Sequence, residues 1–222
     1  MDISYNTKET SAAQTGAAVA DKTLAKQSGN GGFTGKILII SAPSGAGKRG
    51  IIQKILECHP ELHYSVSATT RPPRSGEVDG QDYYFISREQ FEQKMNENEF
   101  LEYNTYNGEY YGTPRTPIEN ALRAGKTVLL EIEVNGARTI RTLYPVACSL
   151  FIKTESYEHL REHLLGRAQT AEERAEIDAR LKIAKEELKE MSEYDFIITN
   201  IQGKPHIAAN IAAAILDNIL KD

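Results

Sequence analysis

The chain is short of cysteine, of positive charge and of long apolar runs, and each shortage closes off a class of protein. Only Cys58 and Cys148 occur in 222 residues, far apart and outside any Cys-x-x-Cys pair. Neither a disulfide framework nor a structural zinc cluster is expected, and a reducing cytoplasm fits that usage. Lys and Arg number 26 against 31 Asp and Glu, a formal charge of −5, so no polyanion-coating surface is expected and any phosphate must be gripped locally. The acid excess gathers between Glu155 and Glu193, where 11 acids face 7 bases. Apolar runs stay short, Ile37 to Ile40 being typical, against the roughly 18–20 residues a membrane span needs. The expectation is therefore a soluble protein with no nucleic-acid or membrane partner, compatible with a monomer or a homodimer.

Residues 1–35 are rich in Ala, Thr, Ser, Gln and Gly and end in Ser28-Gly29-Asn30-Gly31-Gly32. That composition predicts a disordered tail, without the apolar centre of a secretory signal or the arginines of a mitochondrial presequence. From Lys36 on, short apolar runs alternate with helical patterns, which predicts an α/β fold with crossover helices. Strands are expected at 36–41, 63–68, 126–132, 147–153 and 194–199. Val128-Leu129-Leu130 and Phe196-Ile197-Ile198 are apolar on consecutive residues, as in a parallel sheet covered on both faces. Helices are expected at 48–58, at 88–98 with Ser87 as N-cap, at 114–124 with Thr113 before and Gly125 after, and at 156–165, 174–191 and 205–220. Residues 69–112 have another texture, rich in Tyr, Gly, Pro and Arg, with Asn107-Gly108 as a hairpin signal. They read as an inserted antiparallel subdomain.

Ser41-Ala42-Pro43-Ser44-Gly45-Ala46-Gly47-Lys48 follows a buried strand and opens a helix, the context a phosphate-binding P-loop requires. Small residues let backbone N–H groups turn onto phosphate oxygens, the helix N-terminus adds partial positive charge, and Lys48 reaches the β and γ phosphates. Against G-x-x-x-x-G-K-[ST], Ala42 stands at the first glycine, and Arg49 stands where a hydroxyl would ligate magnesium. Ala42 through Arg49 are the candidate ATP contacts.

Further stretches carry a resemblance. Ser65 to Phe85 reads S-V-S-A-T-T-R-P-P-R-S-G-E-V-D-G-Q-D-Y-Y-F, followed by Glu99-Phe100-Leu101-Glu102-Tyr103, Gly108-Glu109-Tyr110-Tyr111-Gly112-Thr113, Leu130 to Ala137 and Tyr194 to Asn200. In order and spacing these stretches resemble guanylate kinases, over essentially residues 36–220. The resemblance implies a P-loop three-layer fold with a central parallel sheet. Its core would be 36–68, 113–154 and 182–220, its GMP-binding insert 69–112 and its helical lid 155–181. It also implies ATP-dependent phosphorylation of GMP, and of dGMP, in purine nucleotide metabolism. Arg71, Arg74, Tyr83 and Tyr111 would hold the GMP phosphate, as guanidinium forks and uncharged hydroxyls suit. Ser67, Glu102, Thr113 and Glu133 would read guanine. A carboxylate at Glu102 accepts from the N1–H and amine of guanine, whereas adenine presents an acceptor at N1. Lys48, Arg71 and the lid arginines Arg167 and Arg180 would stabilise the moving phosphoryl group. Asn200 would lie against adenine, and magnesium would be held by ATP oxygens, water and Glu131.

Four positions depart from the family pattern: Arg49-Gly50 after the lysine, His163 for an arginine, Ala168 for a glycine, and Arg180 about two residues further along than usual. These departures keep open a guanylate-kinase-like module that binds GMP or a phosphorylated ligand without efficient turnover. A kinase for another purine monophosphate is disfavoured by Glu102. His159-Leu160-Arg161-Glu162-His163 matches the H-x-x-E-H zinc pattern but lacks a third ligand in context, and its segment reads as a charged surface helix.

Overall fold

A computed structural model describes residues 32–106, 108–168 and 170–221, with the side chains of residues 167, 172, 173 and 221 outside the description. The expectation of disorder for residues 1–31, and Asn107 of the hairpin signal, lie outside the described residues.

The central sheet has the order β2-β7-β1-β8-β9, all parallel. Its strands are β1 (Ile37–Ser41), β2 (His63–Tyr64), β7 (Val128–Glu131), β8 (Cys148–Thr154) and β9 (Phe196–Asn200). Consecutive side chains of a strand point to opposite faces, so the apolar run of β1 feeds two cores at once. Leu38 and Ile40 join Leu129, Leu150, Ile152 and Ile198 on one face. There they meet Ile51 and Ile55 of α1 (Lys48–Cys58), Leu160 and Leu164 of α5 (Tyr157–Arg167), Leu181 of α7 (Ile177–Lys189) and Leu216 of α8 (Pro205–Lys221). Ile37 and Ile39 join Val128, Leu130 and Phe151 on the other, against Ile118 and Leu122 of α3 (Arg115–Arg123) and Ala137 and Ile140 of α4 (Val134–Leu143). Phe33 packs against this second core and Gly35 donates to the Leu122 carbonyl at 2.9 Å, so contact with the domain begins ahead of residue 36.

The second sheet has the order β4-β3-β6-β5, from β3 (Ala68–Thr69), β4 (Tyr84–Phe85), β5 (Phe100–Tyr106) and β6 (Glu109–Pro114). It is mixed rather than antiparallel, because β3 and β4 run parallel. Same-direction pairing needs a connection of about a dozen residues, and the segment between Thr69 and Tyr84 supplies it. A small aromatic core holds this sheet to α2 (Arg88–Asn96), with Phe91 stacked on Phe100 at 4.4 Å and on Tyr110 at 5.2 Å. Ser87 caps α2 in a reciprocal box with Gln90, as the sequence predicts.

Other boundaries differ from expectation. The strand expected at 63–68 is two strands in different sheets, since Ser65 to Ser67 bridge from core to insert. Thr113 belongs to β6, and α3 starts behind Pro114 with no side-chain cap. The long helix expected at 174–191 divides into α6 (Ala171–Ala175), α7 and a 3-10 turn over Glu190–Glu193. Helix α4 has no counterpart in the sequence reading. Its signals are Val134, Ala137 and Ile140 at three-residue spacing behind Glu133, whose carboxylate accepts from the N–H groups of Asn135 and Gly136.

Candidate functional site

The loop between β1 and α1 is shaped by two left-handed glycines, Gly45 at φ 92° and Gly47 at φ 81°, the latter forming the N-cap of α1. Neither tolerates a side chain. A Cβ on Gly45 would meet Leu164 at 2.9 Å, and one on Gly47 would meet the Asn200 amide nitrogen at 2.6 Å. Three distant elements brace the loop. Asn200 at the end of β9 donates to the Ala46 carbonyl at 2.9 Å, His163 of α5 places Nδ1 3.1 Å from the Gly45 carbonyl, and Arg180 of α7 donates to the Ser44 hydroxyl at 2.6 Å. Asn200 is therefore buried beneath the loop. His163 touches the loop, and Leu160 and Leu164 of the same helix are buried, so α5 is more than a charged surface helix. Arg167 ends α5 with its side chain outside the described residues.

Lys48 Nζ lies 3.5 Å from Glu131 Oε1, while Glu131 Oε2 accepts from the Tyr64 hydroxyl at 2.9 Å. Arg49 is exposed and forms an ion pair with Asp82 of the insert. Beneath this pair opens a cavity of about 540 Å³ lined by Arg49, Ile52 and Gln53 of α1, by Tyr64 and Glu131, and by Gln81, Asp82 and Tyr83 of the insert, so the helix that the loop opens and the insert face a common space. Among the described residues no group of three or more His, Cys, Asp or Glu is gathered for a metal ion. With one carboxylate and no hydroxyl after Lys48, the donor set suits only a hard cation that keeps most of its water.

On the insert side, Arg71 lies 5.5 Å from the Tyr83 ring and 5.7 Å from that of Phe85, and Tyr83 meets Tyr111 edge-on at 5.9 Å. Arg71 donates to Glu77 at 2.9 Å in a largely buried pair. Burial works against its charge, but Glu77 and Tyr111 outweigh burial and raise its pKa. Burial, reinforced by Glu131, pushes the Tyr83 phenol up to about 12, so it remains a proton donor. Arg74 has its backbone N–H on Glu77 at 2.7 Å and is exposed. Glu77 thus organises both arginines, a role the sequence reading left unassigned.

Glu102 is the most heavily buried acid of the site. A register shift in β5 between Phe100 and Glu102 leaves three consecutive residues buried, Phe100, Leu101 and Glu102, where a regular strand would alternate. Leu101 thereby anchors in the second core. Glu102 accepts from the Thr113 hydroxyl across the strand pair, and a Cβ on Gly136 would lie 2.5 Å from its Oε2. The close approach of Gly136 to this carboxyl is a second feature the sequence reading missed. Burial pushes the Glu102 carboxyl up to about 7, with Thr113 opposing and Glu133 adding to the shift. Glu133 itself is engaged as the α4 cap and also accepts from Asn104 at 2.8 Å. Three of its four lone-pair positions are thus used. Ser67 is half-buried, its carbonyl accepting from Tyr84 at 2.9 Å. The structure therefore brings Arg71, Tyr83 and Tyr111 together as one group, and Glu102, Thr113 and Glu133 as another.

A family model described as guanylate kinase matches residues 34–209. The chain belongs to the guanylate kinase family. It is 50% identical over 168 residues to a guanylate kinase of Nostoc sp., covering 76% of this chain and 83% of that one. A guanylate kinase of Rubrobacter xylanophilus is 45% identical over 166 residues, covering 75% and 86%. Among solved structures, a guanylate kinase from Anaplasma phagocytophilum superposes with a TM-score of 0.67 at 32% identity, covering 83% of this chain and 85% of that one. The P-loop fold with a central parallel sheet is that of the family.

Proposed function

We propose that the chain transfers the γ-phosphoryl group of ATP to the phosphate of GMP, releasing ADP and GDP. The observation that carries this reading is the buried Glu102 carboxyl, held by Thr113 and closed in by Gly136, on the insert that shares a cavity with α1, the helix opened by the phosphate loop. Few features other than a base with adjacent N–H donors call for a carboxyl sealed in such a place. As the carboxylate it accepts from guanine N1–H and the exocyclic amine, and Ser67, Thr113 and the free position on Glu133 complete the contact. Arg71 and Arg74 pair the phosphate oxygens, with Tyr83 and Tyr111 donating uncharged hydrogen bonds. None of these proposed contacts uses the sugar 2′-hydroxyl, so dGMP is accepted as well.

Transfer needs alignment and positive charge more than covalent chemistry. An oxygen of the GMP phosphate attacks the γ-phosphorus, and the bond to the ADP oxygen breaks. Backbone N–H groups of the loop from Ala42 to Arg49 and the ammonium of Lys48 carry the charge on the nucleotide side, Arg71 carries it on the acceptor side, and Arg167 and Arg180 close from the lid. Asn200 acts on ATP through the loop it braces. Glu131 would help to hold a hydrated magnesium ion together with ATP oxygens, and the ion would supply positive charge against the phosphates. The two unpaired cysteines accord with a cytoplasmic setting, and among the described residues no helix is long and apolar enough to cross a membrane.

A coupled assay of ADP release with GMP, dGMP and AMP tests the reading. GMP and dGMP are expected to turn over and AMP to be a poor acceptor. Tight GMP binding without turnover would favour the binding-module alternative.

A further inference from the structure

The acid at the end of β7 has a second holder, which neither the loop motif nor the resemblance assigns. Tyr64 ends β2 and pairs with Leu129 of β7. Glu131 lies two residues beyond Leu129, so all three side chains point to the same face of the sheet. That face carries the first core, with Leu129 and the buried isoleucines of α1, and Tyr64 packs against it. From there the Tyr64 hydroxyl donates to Oε2 of Glu131 at 2.9 Å. The other oxygen, Oε1, lies 3.5 Å from Nζ of Lys48, the first residue of α1. One carboxylate thus joins β2, β7 and α1, with a different partner on each oxygen. The two contacts are unequal. The pair with Lys48 is longer than the roughly 2.7–2.9 Å of a charge-assisted hydrogen bond, so Lys48 alone does not orient the flexible glutamate. The Tyr64 bond has normal length and a donor anchored in the core. A phenol keeps its proton at neutral pH, and burial, followed by Glu131, pushes this one further up. Tyr64 and Glu131 both line the cavity between α1 and the insert.

We propose that Tyr64 is a positioning residue for the nucleotide phosphate: its hydroxyl occupies one oxygen of Glu131 and leaves Lys48 a single, long contact from which a phosphate can draw the ammonium. The proposal rests on the reading of Lys48 as the nucleotide-phosphate lysine. Without the hydroxyl both oxygens of Glu131 are free to close on Lys48, and the phosphate must compete with a tighter pair. Tyr64 acts through Glu131, so its effect disappears where Glu131 is removed. A tyrosine that merely filled space would act the same with or without that acid.

The test is calorimetric binding of ADP, without added metal, and of GMP to the wild type, Tyr64→Phe, Glu131→Ala and the double variant. Tyr64→Phe keeps the ring and is expected to weaken ADP binding roughly ten-fold, the usual effect of losing a hydrogen bond to a charged group. GMP should stay within about two-fold, as for independent sites. In the Glu131→Ala background the same substitution should change ADP affinity by less than about two-fold, because residues that act through one another are not additive. Unchanged ADP affinity in Tyr64→Phe, an equal loss in both backgrounds, or a parallel loss of GMP affinity overturns the proposal. Should Glu131→Ala fail to fold, Glu131→Gln, which keeps the size and removes the charge, takes its place with the same expected outcomes. A wild type that binds no ADP would remove the phosphate-transfer reading and this inference with it. ADP binding by the wild type with Tyr64→Phe unaffected removes the inference alone.

Discussion

The phosphate loop and the insert, both proposed to hold phosphate, are built in opposite ways. The loop relies on backbone conformation, two left-handed glycines held by Asn200, His163 and Arg180 from elements 118 to 154 residues away in sequence. The insert relies on side chains close in sequence: Arg71, Glu77 and Tyr83 of the connection between β3 and β4 gather with Tyr111 of β6 beside a small sheet that has its own aromatic core. Damage to the loop should therefore come from many remote positions and spare GMP binding. Damage to the insert should come from few, local positions and spare the nucleotide.

The largest expected effect separates the two halves directly. Lys48→Ala should lower kcat by about 10³, the scale of one lost transition-state donor, while GMP affinity measured by calorimetry stays near wild type. A parallel loss of GMP affinity would mean that the halves are not independent. Gly136→Ala acts on the other half. The new Cβ would sit 2.5 Å from Glu102 Oε2, so the carboxyl must move. GMP affinity should drop by roughly 10- to 100-fold, as for a broken buried hydrogen-bond set, with ADP affinity kept.

A smaller effect is set by pH. On the proposed reading Glu102 accepts from guanine as the carboxylate, and burial raises its value to about 7, so the binding form is lost as pH falls through that value. GMP affinity should weaken about ten-fold from about pH 8 to about pH 6 by proton linkage. The GMP phosphate titrates in the same range, so the decisive comparison is with Glu102→Gln, where the Glu102 contribution to the slope should vanish. The smallest effect tests the tie between the halves. Arg49→Thr supplies the missing hydroxyl and removes the pair with Asp82, an exposed ion pair worth about 0–1 kcal/mol. The magnesium concentration for half-maximal rate should fall a few-fold, with KM for GMP rising by less. An unchanged magnesium requirement would show that the hydroxyl position is irrelevant here.

Local chemistry was legible in the sequence and long-range bracing was not. The helix from Lys48 to Cys58, the Ser87 box and the parallel central strands follow from spacing, capping and consecutive apolar residues. The stretch from His63 to Thr69 was harder: His63–Tyr64 and Ala68–Thr69 share one texture although they enter different sheets, because texture reports burial and not the partner strand. Helix α4 went unnamed because Gly136 interrupts a short pattern that lacks a Ser, Thr or Asp start, and its cap is a glutamate. The Arg71–Glu77 pair, the bulge before Glu102 and the approach of Gly136 depend on register, which no single segment encodes.

The central claim, that the sealed Glu102 carboxyl makes this chain a GMP phosphotransferase, is tested most directly by comparing kcat/KM for GMP and AMP in the wild type and in Glu102→Gln. The wild type should favour GMP by about 10⁴, the discrimination of well-built hydrogen-bonding sites, and the variant should lose most of that preference through GMP alone. Equal use of GMP and AMP by the wild type, or an undiminished preference in the variant, would contradict it.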